Sequence, residues 1–285
     1  MGKTLFISDL DGTLLNQEAK ITPDSARIIN GLIDEGLIFT YATARSFLTA
    51  KQVVGEINFK YPAVCHNGIF IQNTLDGSYI NKCVIDKDKA AEIINICEKK
   101  NFSRFYPLIY AFIDGRERVS WISGKENIGI LWYLKMRKND NRLRPISNYR
   151  EFLEGDIYEI NFVSDSLEEL ENIFAVLNLD SHFAYHIQKD TYADGDGKSM
   201  YWFEILQSGA GKDSAARKVK ELVGADKIVC FGDNINDISM FNISDEKYAV
   251  ENAADEVKNI ATAIIGSNKN DGVAKWLEKN ARDYF

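Results

Sequence analysis

The sequence predicts an α/β fold in which a doubly wound parallel-sheet core is interrupted by an inserted α+β module. Over residues 1–82, short apolar strands alternate with amphipathic helices, which is typical of a parallel sheet covered on both faces. After residue 82 the predicted strands become neighbours in pairs, and the alternation returns from residue 208. We therefore expect a core domain formed by 1–82 and 208–285, with an α+β domain inserted at 83–207.

The first core segment begins with an apolar strand, followed by a helix whose two ends are both marked. Thr22 caps this helix, Pro23 takes its first position and Gly36 ends it. The turn at 66–68 lies between two short apolar runs and predicts a hairpin. Besides that first helix, we predict strands at 4–8, 38–43, 63–65 and 69–71 and a helix at 46–57.

The inserted module and the second core segment are predicted from the same signals. In the module we expect helices at 87–100, 125–136 and 166–177 and strands at 105–113, 118–122, 157–163, 183–188 and 200–206. Ser166 with Glu169 predicts a capping box at the third of these helices. In the second core segment we expect helices at 212–223, 237–241, 255–261 and 272–280 and strands at 227–231 and 248–250.

Charge and cysteine usage limit the partners and the compartment that we expect. The chain has 34 basic and 42 acidic residues and a net charge of -8, so we expect neither nucleic acid nor an anionic membrane as a partner. Its four cysteines form no C-x-x-C pair, and the sequence carries no signal segment or membrane-spanning apolar run. We therefore expect a cytoplasmic protein with reduced cysteines.

Acidic residues follow two of the predicted core strands. Asp9 and Asp11 come after the first strand, and the polar run 232–237, which contains Asp233 and Asp237, follows the strand at 227–231. Ligands of open parallel sheets bind beyond the carboxyl ends of the strands. Carboxylates gathered there repel each other, take raised pKa values or bind a hard cation such as Mg²⁺. Taken singly, each cluster also fits a simpler structural interpretation, a turn after a strand or a capped helix start.

Two further candidates lie near predicted strand and helix ends. Thr43 ends the second core strand and is followed by Ala44 and Arg45, and Lys212 comes directly before a helix. By themselves, these residues also fit a strand threonine, a surface arginine and a solvated lysine.

Together these segments resemble the four ordered motifs of the haloacid dehalogenase-like phosphatase superfamily. The matching residues are Asp9-Leu10-Asp11-Gly12-Thr13, Thr43, Lys212 and Gly232-Asp233-Asn234-Ile235-Asn236-Asp237. The large module between the second and third motifs, and the closing NDGVAKWLEK, are similar to the Cof-type subfamily. Ala44 departs from that subfamily, which commonly has Gly at this position.

The resemblance implies a Rossmann-like core with a cap domain, and Mg²⁺-dependent hydrolysis of small phosphorylated metabolites such as sugar phosphates. Asp9 would be the nucleophile that forms an aspartyl-phosphate, and Asp11 would be the general acid and base. Thr43 and Lys212 would stabilise the phosphoryl oxygens. The implied metal ligands are Asp9, the backbone carbonyl of Asp11 and Asp233, with Asp237 either as a further ligand or as a residue that supports the ligands. We assign substrate or phosphate binding to Gly12, Ala44, Arg45, Asn67, Gly68 and Asn236.

Two other functions remain open at this stage. A phosphomutase of phosphosugars resembles the same superfamily and would form an isomer without releasing phosphate. A metabolite-binding regulator without activity could use the same scaffold. For any of the three we expect a small phosphorylated partner and a monomer or homodimer.

Overall fold

The computed structural model describes residues 2–99, 106–190 and 199–285. The chain divides into two compact units, one formed by Met1–Lys82 with Ala210–Phe285 and the other by Cys83–Gly209. The predicted end of a helix at 100, the predicted start of a strand at 105 and the predicted turn at 194–197 lie outside the described residues. No helix in the described ranges is both long enough and apolar enough to cross a lipid bilayer.

The helices and strands occur in three successive segments. The first contains β1 (Thr4–Ser8), α1 (Pro23–Glu35), β2 (Ile38–Tyr41), α2 (Phe47–Val54), β3 (Ala63–Cys65), β4 (Phe70–Gln72) and β5 (Tyr79–Lys82). The second contains α3 (Lys87–Lys99), β6 (Leu108–Ile113), β7 (Arg116–Ile122), α4 (Ile128–Met136), β8 (Leu143–Ile146), β9 (Asp156–Ser164), α5 (Leu167–Leu177), β10 (Phe183–Lys189) and β11 (Tyr201–Gln207). The third contains α6 (Lys212–Val223), β12 (Lys227–Gly232), α7 (Ile238–Ile243), β13 (Glu246–Val250), α8 (Asp255–Ile260), β14 (Ala263–Ile265) and α9 (Gly272–Asn280).

The first unit is built on a parallel sheet with the order β14-β13-β12-β1-β2. Leu5, Phe6 and Ile7 of β1 are fully buried, because helices cover both faces of such a sheet. The strand order reverses between β1 and β12, which are hydrogen-bonded neighbours. The predicted α/β class is confirmed, and the reversal places the carboxyl ends of β1 and β12 side by side.

A small antiparallel sheet, β3-β4-β5, completes the first unit. Its β3–β4 hairpin was predicted, and His66, Asn67 and Gly68 at the turn all have positive φ. A side chain at Gly68 would collide with the carbonyl group of Gly211, so this turn requires glycine. The strand β5 was not predicted, because none of its residues is buried and its sequence lacks an apolar run.

The helix ends test the capping predictions. Thr22 accepts a hydrogen bond from the Ser25 amide and Gly36 ends α1 in the left-handed conformation, as predicted. The capping box at α5 is only half correct. Ser166 accepts from the Glu169 amide, but the Glu169 carboxylate accepts from the Ser164 hydroxyl instead of the cap backbone.

The second unit is a six-stranded sheet with the order β10-β11-β9-β6-β7-β8. Its pairs are antiparallel, as predicted, except that β8 joins β7 in parallel at the edge. Neither β8 nor β14 was predicted. Both are short edge strands. Pro145 lies within β8, which therefore lacks the apolar pattern of a buried strand.

Glu159 on β9 is a partly buried carboxyl group with a raised pKa. Burial and the neighbouring Glu204 carboxylate raise its pKa from the ordinary 4.5 to about 7, against the opposing effects of Asn161 and Arg142. The side-chain amide of Asn161 donates to Glu159 Oε1 at 2.7 Å. Because the folded-state pKa exceeds that of an unfolded glutamate, the free energy of unfolding falls as the pH rises from about 4.5 to about 7.

Glu159→Gln should therefore stabilise the protein at pH 8 by on the order of 2 kcal/mol, because the amide is neutral and still accepts the Asn161 bond. The gain should disappear at pH 5, where the folded-state carboxyl group is itself protonated. Urea unfolding at the two pH values measures both differences. Glu171→Gln, at an exposed position on α5, is the matched control. An equal gain in the control, or a gain independent of pH, would contradict this account.

Candidate active site

A buried lysine joins two carboxylates beyond the strand ends of the parallel sheet. Lys212, the first residue of α6, is 1% exposed, and its Nζ donates to Asp9 Oδ1 at 2.6 Å and to Asp237 Oδ1 at 2.7 Å. Asp9 follows β1 directly, and its amide donates to the carbonyl of Phe231 on β12. The three charged side chains come from distant parts of the chain and form one buried cluster.

The loop after β12 holds its acidic residues through its own backbone. Asp237 Oδ2 accepts from the amides of Asp233 and Asn234, and Asn234 caps the following turn. This is a capping box, so the interpretation of this segment as a capped helix start is confirmed. The capping box and the charged cluster use different oxygens of Asp237. Its Oδ2 accepts from the loop backbone, and its Oδ1 accepts from Lys212.

The charges of the cluster are not balanced by the side chains of the described residues that contact it. Burial raises the pKa of Asp9 above its usual range, in opposition to Lys212, and Asp237 adds to the rise. Burial also raises the pKa of Asp233 to about 6, although a hydrogen bond from Thr13 opposes the shift. The Asp9 and Asp237 carboxylates hold the pKa of Lys212 above its usual range despite burial. The site carries one cation against three carboxylates.

This donor set fits a hard divalent cation. Asp9, Asp233 and Asp237 each offer an oxygen, and these oxygens lie within 4.8 Å of one another. All three are carboxylate oxygens, which Mg²⁺ prefers over nitrogen or sulfur. Both Asp237 oxygens already accept bonds from the protein, which leaves Asp9 and Asp233 as the carboxylates better placed to hold an ion.

Asp11 does not join this group of carboxylates. The chain leaves β1 at Ser8, and residues Leu10–Leu14 form one irregular helical turn, so strand alternation does not set the direction of Asp11. Its carboxylate forms a bidentate pair with Arg45, at 2.7 Å to Nε and 2.6 Å to Nη2. Both carboxylate oxygens accept from Arg45, so the predicted role of Asp11 as a general acid would require this pair to open.

Thr43 is fully buried at the end of the segment that continues β2. Its hydroxyl oxygen accepts from the Arg45 amide at 3.1 Å, and within the described ranges its hydroxyl proton has no acceptor. Ala44 is exposed and has no positive φ, so alanine fits the position where the subfamily commonly has glycine without backbone strain.

The remaining predicted binding residues lie on loops around the cluster. Asn236 Nδ2 donates to Asn67 Oδ1 at 3.2 Å, and the Asn67 amide donates to the Thr43 carbonyl. Gly68 approaches the backbone of Gly211, next to Lys212. Gly12 has a φ of 82°, and a side chain there would collide with the Asp233 carboxylate.

Sequence reasoning missed Asn252, which supports the loop after β1. Its Nδ2 donates to the Gly12 carbonyl at 2.7 Å, while its Oδ1 accepts from the Asn268 amide and the Ser267 hydroxyl. Asn252 follows β13, a strand of the same sheet. Inspection of every strand end for polar residues, instead of only the acidic ones, would have found it.

The fold and the buried acid–lysine site define a hydrolase of known architecture. The chain belongs to the haloacid dehalogenase-like hydrolase family, whose model matches residues 6–277. The predicted superfamily, with its Cof-type phosphatases, is thereby confirmed.

Two curated relatives match along nearly their whole length. One is the 5-amino-6-(5-phospho-D-ribitylamino)uracil phosphatase YwtE of Bacillus subtilis (strain 168), 27% identical, with 95% of this chain and 96% of the relative covered. Another is the pyridoxal phosphate phosphatase YbhA of Escherichia coli (strain K12), 24% identical, with 94% and 95% covered. Both relatives are named as phosphatases of small phosphorylated molecules.

Solved structures show the same fold. TM0651 from Thermotoga maritima superposes with a TM-score of 0.74 at 24% identity, covering 98% of this chain and 97% of its own. The HAD subclass IIB sugar phosphatase BT4131 superposes with a TM-score of 0.65 at 20% identity, covering 97% and 98%.

Replacement of the buried lysine should lower the free energy of unfolding. Lys212→Met leaves two buried carboxylates without their cation, so we expect a loss of about 3 to 5 kcal/mol at pH 8. The loss should be smaller at pH 5. Burial raises the pKa of Asp9, so at that pH this carboxyl group is neutral and needs no cation. Mg²⁺ should recover part of it, since bound cations stabilise the folded state.

Urea unfolding at both pH values, with and without Mg²⁺, measures these effects. Lys218→Met is the control, because Lys218 lies on the same helix but is 51% exposed and, among the described residues, pairs with Glu221 alone. Equal losses of stability in the two variants would contradict the conclusion that Lys212 stabilises the buried carboxylates.

Proposed function

We propose that this chain is a Mg²⁺-dependent phosphatase of small phosphorylated metabolites that works through an aspartyl-phosphate on Asp9. Its class is a phosphoric monoester hydrolase of the haloacid dehalogenase-like family. The observation that carries the mechanism is the Asp9–Lys212–Asp237 cluster with Asp233 beside it.

Asp9 has the environment that a nucleophile requires. Its Oδ1 is bonded to Lys212, and its Oδ2 accepts no bond from the part of the chain that the structure describes. The residue is 6% exposed, so the carboxylate is held in place but can be reached from one side. We propose that Oδ2 attacks the phosphorus atom while Lys212 offsets part of the negative charge of the cluster and contacts a phosphoryl oxygen.

The ion would be held by Asp9, Asp233 and the backbone carbonyl of Asp11, with Asp237 holding Lys212 and the loop. When bound, Mg²⁺ supplies charge neutralisation and polarises the phosphoryl group. Thr43 donates its hydroxyl proton to a second phosphoryl oxygen.

Asp11 supplies and recovers the proton. As Asp9 Oδ2 bonds to phosphorus, the bond from phosphorus to the leaving oxygen breaks, and Asp11 protonates that oxygen. Asp11 then takes a proton from water, whose oxygen attacks phosphorus and releases the Asp9 carboxylate. Arg45 must leave Asp11 before the first step, so that Asp11 can take up from solvent the proton that it passes to the leaving oxygen, and the freed guanidinium then binds the substrate anion.

The substrate class follows from the relatives and stays a proposal for this chain. YwtE and YbhA are named for a phosphorylated ribityl compound and for pyridoxal phosphate. We therefore propose small phosphorylated metabolites and, among them, sugar phosphates as the first class to screen. The roles of domain 83–207 as a cap and of the individual phosphate-binding residues also stay predictions.

Asp9→Asn should abolish phosphate release from phosphorylated metabolites, because an amide cannot form the aspartyl-phosphate. The fold should persist, since Lys212 keeps its pair with Asp237. Phosphate release with Mg²⁺ and with EDTA measures the loss, and circular dichroism checks the fold. Asp24→Asn, at an exposed acid on α1, should retain activity. Near-full Mg²⁺-dependent phosphate release by the Asp9 variant would refute the assignment. Formation of an isomer without phosphate release by the parent chain would indicate a mutase.

A further inference from the structure

The second unit contains a cavity of about 480 Å³ whose lining is rich in arginine. It is lined by Ile113, Asp114, Arg116, Arg118, Arg144 and Glu154. A volume of this size accommodates a small molecule. Three of its six lining residues are cationic, whereas the whole chain has a net charge of -8. This cluster of arginines is therefore opposite in sign to the net charge of the protein.

Two of these arginines form no ion pair with a carboxylate of the described residues. Arg116 and Arg118 are two apart on β7 and therefore point to the same face of the sheet. Arg118 Nη1 donates to the backbone carbonyl of Asn141 at 3.1 Å and more weakly to that of Glu117. Arg116 is exposed, and its side chain makes neither a hydrogen bond nor an ion pair with any described residue. Like charges at this spacing repel each other unless an anion lies between them.

The third arginine is held in position at the same cavity. Arg144 Nη2 pairs with Glu154 Oε2 at 2.6 Å, and its Nη1 donates to the Ser120 hydroxyl and the Glu151 carbonyl at 3.4 Å each. Glu154 thus offsets Arg144, with a Glu151 carboxylate oxygen also 4.0 Å from its Nη2, and Asp114 contributes the second acid among the six lining residues. The cavity keeps an excess of one positive charge, concentrated at Arg116 and Arg118.

We propose that this cavity binds a small, multiply charged anion that carries phosphate or carboxylate groups. Guanidinium groups suit this ligand, because their planar donors bind either oxyanion in a bidentate manner. The anion would bridge Arg116 and Arg118 and remove their repulsion, with Arg144 as the fixed partner. All six lining residues belong to the second unit, and none of them is part of the Asp9 cluster.

Isothermal titration calorimetry of the full chain tests the proposal with pyrophosphate and citrate as separate probes. The titrations are performed with EDTA and without Mg²⁺, so that metal-assisted binding at the Asp9 cluster does not contribute. We expect one binding event per chain with at least one probe, weakening as the ionic strength rises. The two probes distinguish a phosphate ligand from a carboxylate ligand.

Arg116→Gln/Arg118→Gln should weaken this binding by about tenfold or more, since each charge-assisted contact is lost. Arg116→Gln alone should also weaken the binding. This substitution removes no side-chain bond that supports the fold, because the Arg116 side chain makes none with the described residues. Without an anion at low salt, the double variant should have a Tm equal to or above that of the parent, because the repulsion is removed.

Arg150→Gln is the matched control, since Arg150 is an exposed arginine of the same unit outside this cavity and the change in net charge is the same as for Arg116→Gln. Intact binding in the control with weakened binding in both cavity variants supports the site. Absence of binding by the parent chain, or equal affinities in cavity and control variants, overturns it.

Discussion

The buried ammonium group of Lys212 is the constraint on which the arrangement of the site depends. It begins α6, where the helix dipole disfavours a cation, and it is almost completely shielded from water. In the part of the chain that the structure describes, the carboxylates that accept from Lys212 and offset these costs are those of Asp9 and Asp237. Lys212 therefore holds together the end of β1, the loop after β12 and the start of α6, three segments that meet where the strand order of the sheet reverses.

Close backbone approaches make this convergence possible. Gly12 lies against the Asp233 carboxylate, and Gly68 lies against the carbonyl of Gly211, immediately before Lys212. Any side chain at either position would collide with its neighbour, so the two glycines set how closely the loops approach each other. Asn252 adds a bond to the Gly12 carbonyl and thereby ties the loop after β1 to the end of β13. The charged groups are held by loops that are themselves fixed at several points.

The sequence predicted the parts of this molecule that depend on local patterns. The strands β1 and β12 have continuous apolar runs, and the ends of α1 carry strong capping signals, so their positions were clear. The edge strands β5 and β8 were missed because an exposed strand and a proline-containing strand lack that pattern, and β14 was missed because its apolar run is only three residues long. The partner of Asp11 was missed for a different reason. The Arg45 pair depends on where two loops meet in space, and no local spacing encodes that.

Within one loop, neighbours give two similar aspartates different tasks. Asp237 is fully buried, and its oxygens accept from Lys212 and from two backbone amides, so its charge is already used to build the site. Asp233 receives one hydrogen bond, from Thr13, and burial raises its pKa to about 6. A carboxylate that is costly to ionise and has lone pairs to spare gains most from a metal ion. Hydrogen-bond partners, rather than residue type, therefore distinguish the structural anion Asp237 from Asp233, the proposed metal ligand.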